Sequence, residues 1–180
     1  MSMMTVLEAS NMDLHFHRFS ERYTVRRLTD ADLDVLYALC KGNRLYYQHM
    51  KQQPTPENLR DVFTALPDGK RMVDKYFLGF FEDGKLVALL DLITHYPDQE
   101  TAFIGWFMLD IDYQGPGRAT ALLNEILSAL KTESFRHVRL GYIQGNPQSE
   151  RFWYKNGFNP TGTRSATDAY TVVHMQREIG

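Results

Sequence analysis

Residues 101–131 read TAFIGWFMLDIDYQGPGRATALLNEILSALK, and the reading of this stretch decides the fold. It opens as an apolar strand, turns through Gln114-Gly115-Pro116-Gly117-Arg118-Ala119-Thr120, and continues as a helix. Ala119, Leu122, Leu123, Ile126, Leu127 and Leu130 recur at the 3.6-residue spacing of one buried helix face. The two glycines allow a tight turn and a close approach of a ligand to the backbone. The first helical turn then aims unpaired N–H groups and the positive end of the helix dipole at the loop, a ready site for phosphate. No Gly-Lys-Ser/Thr follows, so the loop is not a P-loop. Gly115 and Gly117 are followed by Thr120, so the dinucleotide fingerprint is incomplete.

Outward from this stretch, the chain of 180 residues fits one domain able to bury a real core. Its 43% hydrophobic and 23% charged residues are ordinary for a globular protein. A formal net charge of -2 supplies no basic field for nucleic acid or anionic lipid. No apolar run approaches a membrane span, and residues 86–93, the longest candidate, are interrupted by Asp91. Residues 1–10 lack the basic and apolar regions of a signal peptide. The single cysteine, Cys40, excludes an internal disulfide, suits a reducing cytoplasm, and reads as a small buried hydrophobe. His15 and His17 alternate with Leu14 and Phe16 as in a short strand, and without Cys or acidic neighbours they make no metal motif.

The remaining elements follow from local signals. Residues 23–28 alternate as a first strand, and Thr29 with Asp32 forms a capping box before a helix ending near Gly42. Residues 43–53, rich in tyrosine, predict a loop or a broken helix. Thr55 caps a second helix with Pro56 at its first position. Strands are predicted over 76–81 and 85–94 about an Asp83-Gly84 turn, then over 101–109, 138–143 and 170–178, with a short helix over 148–155. The order β-α-α-β-β-β-α-β-α-β predicts an α/β protein, one α+β mixed sheet with helices on both faces.

Gly145-Asn146-Pro147-Gln148-Ser149-Glu150-Arg151-Phe152-Trp153-Tyr154-Lys155-Asn156-Gly157-Phe158 follows the fifth strand. Asn146 suits an N-cap, Pro147 the first helical position, and Gly157 the left-handed end. Gln114-x-x-Gly117-x-Ala119 resembles the acyl-CoA motif of the GNAT N-acetyltransferases. Asn146-x-x-Ser149-x-x-Phe152-Trp153-x-x-x-Gly157-Phe158 resembles that family's second motif, in the right order and on the right elements. The chain resembles uncharacterised small-molecule-type bacterial members. The resemblance covers residues 23–180 as the acetyltransferase domain, leaving 1–22 as an N-terminal extension.

What the resemblance implies is a GNAT acyl-CoA N-acyltransferase fold whose fourth and fifth strands splay around pantetheine. The implied enzyme transfers acetyl from acetyl-CoA to a primary amine of a small molecule by direct attack, without a metal. The implied partners are that donor and acceptor, with neither nucleic acid nor membrane, and a homodimer is an allowed assembly. Pyrophosphate would meet the backbone of Gly115, Gly117, Arg118, Ala119 and Thr120, after Gln114. Met108 and Leu109 would hold pantetheine and polarise the thioester, Asn146 would bond pantetheine, and Phe152 and Trp153 would flank it. The family's usual general-acid tyrosine position holds Trp153, which cannot act as an acid. Tyr154 is adjacent but about 100° around the helix. Phe103 stands near the family's strand carboxylate, and Asp91 on the preceding strand becomes the candidate base. His174 and Tyr142 are further proton-transfer candidates, and Tyr46, Tyr47 and His49 suit an acceptor loop. The competing readings are a non-catalytic acyl-CoA-binding or interaction module and a protein or peptide N-acetyltransferase.

Overall fold

A computed structural model describes residues 13–180. The reading of residues 1–10 lies outside the described residues. Seven strands form one sheet in the order β1-β2-β3-β4-β5-β7-β6. They are β1 (Thr24–Arg27), β2 (Lys75–Glu82), β3 (Lys85–Thr94), β4 (Thr101–Leu109), β5 (His137–Ile143), β6 (Asn159–Ala166) and β7 (Thr171–Glu178). All neighbours run antiparallel except β4 and β5. The β2–β3 hairpin turns at Asp83 (φ 49°) and Gly84 (φ 79°), the two positive φ values that a tight two-residue turn requires.

Helices α1 (Leu33–Gly42), α2 (Arg44–Met50) and α3 (Pro56–Val62) cover one face of the sheet. Leu36, Leu39, Tyr47 and Leu59 pack there with Phe77, Leu89 and Met108. Helix α4 (Arg118–Thr132) covers the other face, burying Leu122, Leu123, Ile126, Leu127 and Leu130 against β2–β5. Each of those side chains contributes about 1.5–3 kcal/mol of burial, so the stripe rather than intrinsic propensity holds α4 in place. Helix α5 (Pro147–Lys155) joins the same core through Trp153. The predicted mixed sheet with helices on both faces is therefore the observed architecture.

The caps form as the sequence indicates. The Thr29 N–H donates to Asp32 Oδ2 at 2.8 Å, and Thr55 Oγ1 accepts from Asn58 N–H at 3.2 Å ahead of Pro56. Of the two alternatives for residues 43–53 the broken helix is the one that forms, and one strand was not anticipated. The stretch read as a loop or broken helix forms α2, because Tyr47 inserts into the core at 5% exposure, and Lys51 in the left-handed conformation ends it. Strand β6 was not expected: Asn159-Pro160-Thr161-Gly162 has no apolar alternation, and it is an exposed edge held by β7 alone. Residues 14–17 form no strand. A 3₁₀ turn at Phe16–Phe19 buries Phe19, and the Leu14 N–H donates to Tyr76 Oη at 3.1 Å.

Two register features shape the site. Asp91 pairs with Trp106 and Leu92 with Ile104, so Gly105 is a bulge residue with no partner on β3. Strands β4 and β5 pair only from Thr101/His137 to Ile104/Leu140. Beyond that point both strands continue, to Leu109 and Ile143, without pairing to each other.

Candidate active site

The divergence of β4 and β5 opens a cavity of about 300 Å³. Its long walls are Ile104–Leu109 of β4 and Leu140–Ile143 of β5, and beyond the Ile104/Leu140 pair the strand edges have no ladder partner across the gap. An extended amide-containing chain lying there can take the place of the missing strand pairing.

One end is closed by the glycine loop. Gln114 Nε2 donates to Leu109 O at 3.0 Å and to Asn43 Oδ1 at 2.7 Å. Asn43 Nδ2 in turn donates to Leu109 O at 3.1 Å and Leu39 O at 3.0 Å. The glutamine thus ties the loop to the end of β4 and to the α1–α2 junction. Gly117 takes φ 78° at the N-cap of α4, with no side-chain cap and no acidic residue in the first turn. The Arg118 N–H turns back to Gly115 O at 3.3 Å, and the Ala121 N–H starts the helix on Gly117 O at 2.8 Å. Side chains built at Gly115 or Gly117 would meet nothing within 4 Å, so the loop faces open space. The helix start is therefore left to attract an anion. The Arg118 guanidinium lies 5.7 Å from the Tyr113 ring centroid.

Of the residues the sequence assigned to the donor, Met108, Leu109, Gln114 and Gly115 line the cavity, as do Ala119, Asn146, Phe152 and Trp153. Gly117, Arg118 and Thr120 sit outside the lining, around the first turn of α4. Phe107 stacks on Phe152 at 6.3 Å, and Trp153 meets Phe152 edge-on at 4.8 Å. Together they make the wall on the α5 side aromatic. Trp153 is buried, consistent with packing beside an apolar ligand.

The opposite wall is aromatic too. Tyr46 stacks on Trp106 at 6.2 Å, and Trp106 on Phe77 at 6.3 Å. Burial pushes the Tyr46 phenol well above its ordinary range. Trp106 Nε1 is the one buried side-chain polar atom among the described residues without a hydrogen-bond partner. Tyr142 also lines the cavity, and burial first, then the nearby Glu150, raises its pKa and keeps it protonated.

The two sequence-derived catalytic candidates stand apart from the lining. Asp91 is 8% exposed, and both its oxygens accept from Lys75 Nζ, at 2.8 and 2.9 Å. Lys75 Nζ also donates to Ala65 O at 2.9 Å. Burial pushes the Asp91 carboxyl up while Lys75 opposes the shift. The carboxylate lies behind Gly105, with Oδ2 3.1 Å from where a Cβ there would stand. Tyr154 is 46% exposed and borders a separate hollow with Glu150 and Arg164. The structure does not bring Asp91 and Tyr154 to one place.

Sequence reasoning missed Asn43, Trp106, Gly105 and Gly141. Gly105, a glycine inside a strand pattern, carried the usual signal of a bulge. The others announce themselves only through tertiary contacts. Cys40 is fully buried, its thiol pushed up to about 11 chiefly by desolvation. His15 Nδ1 contacts Glu133 at 2.8 Å and His17 Nδ1 contacts Val25 O at 3.2 Å. Among the described residues no group of three or more His, Cys, Asp or Glu could hold a metal, and no helix is long and apolar enough to cross a membrane.

The profile of the acetyltransferase (GNAT) family matches residues 37–158, which span the cavity walls, the glycine loop and α5. The chain belongs to the GNAT family. Uncharacterized N-acetyltransferases of Mycobacterium bovis and Mycobacterium tuberculosis are each 32% identical to this GNAT chain over 83 residues. That is 46% of this chain and 52% of theirs, so the matched region spans about half the length of these curated relatives. An acetyltransferase of Thermus thermophilus superposes with a TM-score of 0.69 at 21% identity, covering 87% of this chain and 96% of that one. The PaiA N-acetyltransferase of Thermoplasma acidophilum, solved in complex with coenzyme A, gives 0.62 at 20% identity, covering 87% and 98%. The Escherichia coli ribosomal-protein-S18-alanine N-acetyltransferase gives 0.60 at 18%, covering 88% and 94%. At these identities the superpositions establish the GNAT fold.

Proposed function

We propose that the protein is an acetyl-CoA-dependent N-acetyltransferase acting on the primary amine of a small molecule. The observation that carries this reading is the splay of β4 from β5 with an uncapped helix start at its end. The unpaired strand edges suit the two amides of pantetheine, and the N-terminus of α4 suits the pyrophosphate. In this reading the backbone of Gly115, Gly117, Arg118, Ala119 and Thr120 surrounds the phosphates. Met108 and Leu109 supply main-chain groups to pantetheine and to the thioester oxygen, while Phe152 and Trp153 flank the chain. The Tyr46–Trp106 stack narrows the side nearest α2, which favours a compact acceptor over a folded protein surface.

The reaction is direct. The amine nitrogen forms a bond to the thioester carbon, and the oxyanion is held by a strand N–H near Leu109. The C–S bond then breaks with its electron pair on sulfur. Tyr142, in the cavity wall and kept protonated by burial, is placed to give the leaving thiolate a proton. Asp91 can act as the base only by loosening its bonds to Lys75. Held by both bonds to Lys75, Asp91 is expected to stay outside the proton path, so Asp91→Asn should change the pH profile of transfer little, and loss of an acidic limb with CoA affinity spared would make Asp91 the base.

The decisive experiment compares CoA binding by calorimetry with thiol release from acetyl-CoA over a panel of small amines and N-terminal peptides. Binding and turnover with small amines are expected. Binding without turnover on any acceptor makes the protein an acyl-CoA-binding module, and turnover on peptides alone transfers the assignment to protein acetylation.

A further inference from the structure

The last β4–β5 pair is Ile104 with Leu140, so Gly105 and Gly141 are the first residues on either lip of the splay. Both line the cavity. Neither has a side chain, and each is flanked by a titratable group from the strand beside it. On the β4 lip that group is Asp91, locked to Lys75 by two bonds. On the β5 lip it is His174 of β7, the residue directly opposite Gly141 in the ladder. His174 Nδ1 lies 3.8 Å from the position a Cβ of Gly141 would take, beside the Val172 methyl that fills that position. Its other ring nitrogen, Nε2, is 2.6 Å from Ser165 Oγ of β6. Among the described residues Nδ1 has no hydrogen-bond partner.

We propose that His174 is the proton acceptor for the attacking amine and that Ser165 is the positioning residue that fixes its tautomer. Ser165 Oγ accepts the Nε2–H, which leaves the Nδ1 lone pair free on the ring edge beside Gly141, a residue of the cavity wall. As the amine nitrogen bonds to the thioester carbon, its N–H proton passes to Nδ1, giving an imidazolium that still donates from Nε2 to Ser165. The C–S electron pair leaves on sulfur, and the imidazolium returns its proton to water. This inference rests on the amine-acetylation reading.

The surroundings keep the ring ready to accept a proton. Burial first, and then the Arg139 guanidinium, hold His174 below the ordinary histidine range. Arg139 comes from β5 on the same face, its Nε donating to Gln176 Oε1 of β7 at 2.8 Å. The side chain reaching His174 from β6 is the neutral Ser165 hydroxyl. At neutral pH the ring is therefore an uncharged base, whereas the Asp91 carboxylate already has a full partner. That difference in engagement selects the β5 lip.

The test is kcat/KM against pH for the wild type, His174→Gln, Ser165→Ala and Asp91→Asn, with CoA affinity measured in parallel. Wild type should show an acidic limb with its inflection below the ordinary histidine value of about 6.5. His174→Gln should lose that limb and fall about 10²–10⁴-fold in kcat with CoA affinity unchanged. Ser165→Ala should keep the limb and lose about tenfold in kcat, the smaller effect of a mispositioned base. A His174→Gln enzyme with wild-type kcat and an intact acidic limb overturns the proposal. So does ¹⁵N NMR of the wild-type ring showing the proton on Nδ1 at pH 7, a measurement that needs no variant to fold. If the wild type binds CoA but turns over no amine, the reading and the inference fall together. If it turns over and only the histidine results fail, the reading stands alone.

Discussion

The chain makes the same connection twice, and the two copies are finished differently. After β4 the backbone turns through Gly115 and Gly117 into α4; after β5 it turns through Gly145 and Asn146 into α5. At α5 the helix start is complete. Asn146 Oδ1 accepts from the Ser149 N–H at 3.2 Å, Asn146 Nδ2 donates to Ser149 Oγ at 3.0 Å, and Glu150 places a negative charge in the first turn. At α4 there is no side-chain cap and no acidic residue in the first turn. An open helix start costs stability, since a capping side chain contributes about 1 kcal/mol. One of the two junctions is closed by its own side chains, and the other is left open. Both motifs border the same cavity, and only one leaves its first-turn N–H groups without a side-chain cap.

The sharpest break of this contrast is a carboxylate placed in the open junction. Gly117→Glu would mix charge with backbone strain, because Gly117 is at φ 78°. Gly115 has no positive φ and nothing within 4 Å of a built Cβ, so Gly115→Glu adds charge alone. At about 4 Å from a phosphate the repulsion is on the order of 1–4 kcal/mol, which lowers CoA affinity by about 10- to 1000-fold. Calorimetry in low salt reads this directly, and raising the salt should recover part of the loss. An affinity equal to wild type would detach the loop from the pyrophosphate.

A second variant asks what holds the open junction in shape. Asn43 is buried and bonds Leu39 O, Leu109 O and Gln114 at once. Asn43→Ala removes three bonds, although Gln114 Nε2 and Leu109 O keep each other, at about 1–3 kcal/mol in total. At roughly 2–4 °C per kcal/mol for a chain of this size, the melting temperature should fall by about 2–12 °C. CoA affinity should drop by about tenfold as the loop loses its anchor, an indirect effect smaller than that of a charge inside the site. An unchanged melting temperature would mean that the Gln114–Asn43 contact does not hold the loop.

How much of this was legible in the sequence follows from which forces are local. The α4 stripe, the Asp83-Gly84 turn and the Thr29, Thr55 and Asn146 caps all depend on residues within a few positions of one another, and each appears where the pattern puts it. Strand β6 did not, because an exposed edge needs no apolar period. The Asp91–Lys75 pair was hidden by a bulge. A regular hairpin on the Asp83-Gly84 turn would set Lys75 opposite Leu92 and put it on the other face from Asp91. The register shift between Phe80 and Phe81 sets it opposite Ile93 instead, on the face that carries Asp91. One inserted residue thus turned an apparent free carboxylate into half of an ion pair. The bulge at Gly105 acts similarly on β4, turning Trp106 and Met108 toward the α1–α3 side. Sequence patterns named residues that come to line one cavity because loops and helix starts are local in sequence, whereas the surroundings of Asp91 depend on register across three strands.

The closed junction gives the next smaller effect. Asn146→Ala should cost about 1 kcal/mol, a melting shift of roughly 2–4 °C, and should leave CoA affinity within about threefold. The family resemblance assigns the Asn146 side chain to pantetheine, whereas the structure engages it in the α5 cap. A loss of affinity above tenfold with little change in melting temperature would favour the pantetheine role and erase the contrast between the junctions.

The smallest expected effect is at Tyr154, and it is informative for that reason. Tyr154 is half-exposed on α5, bordering the outer hollow, whereas Tyr142 borders both that hollow and the cavity. Tyr154→Phe should leave kcat, KM and the pH profile as in wild type. Tyr142→Phe should lower kcat and leave CoA affinity intact, because the hydroxyl is removed without altering the ring that packs. The reverse outcome would require α5 to rotate by about 100° to bring position 154 to the cavity. The buried Trp153 and its contacts with Phe152 and Phe158 oppose that rotation. A matched pair of pH profiles for these two variants therefore reports whether α5 is seated by its cap and its aromatic face as the structure has it.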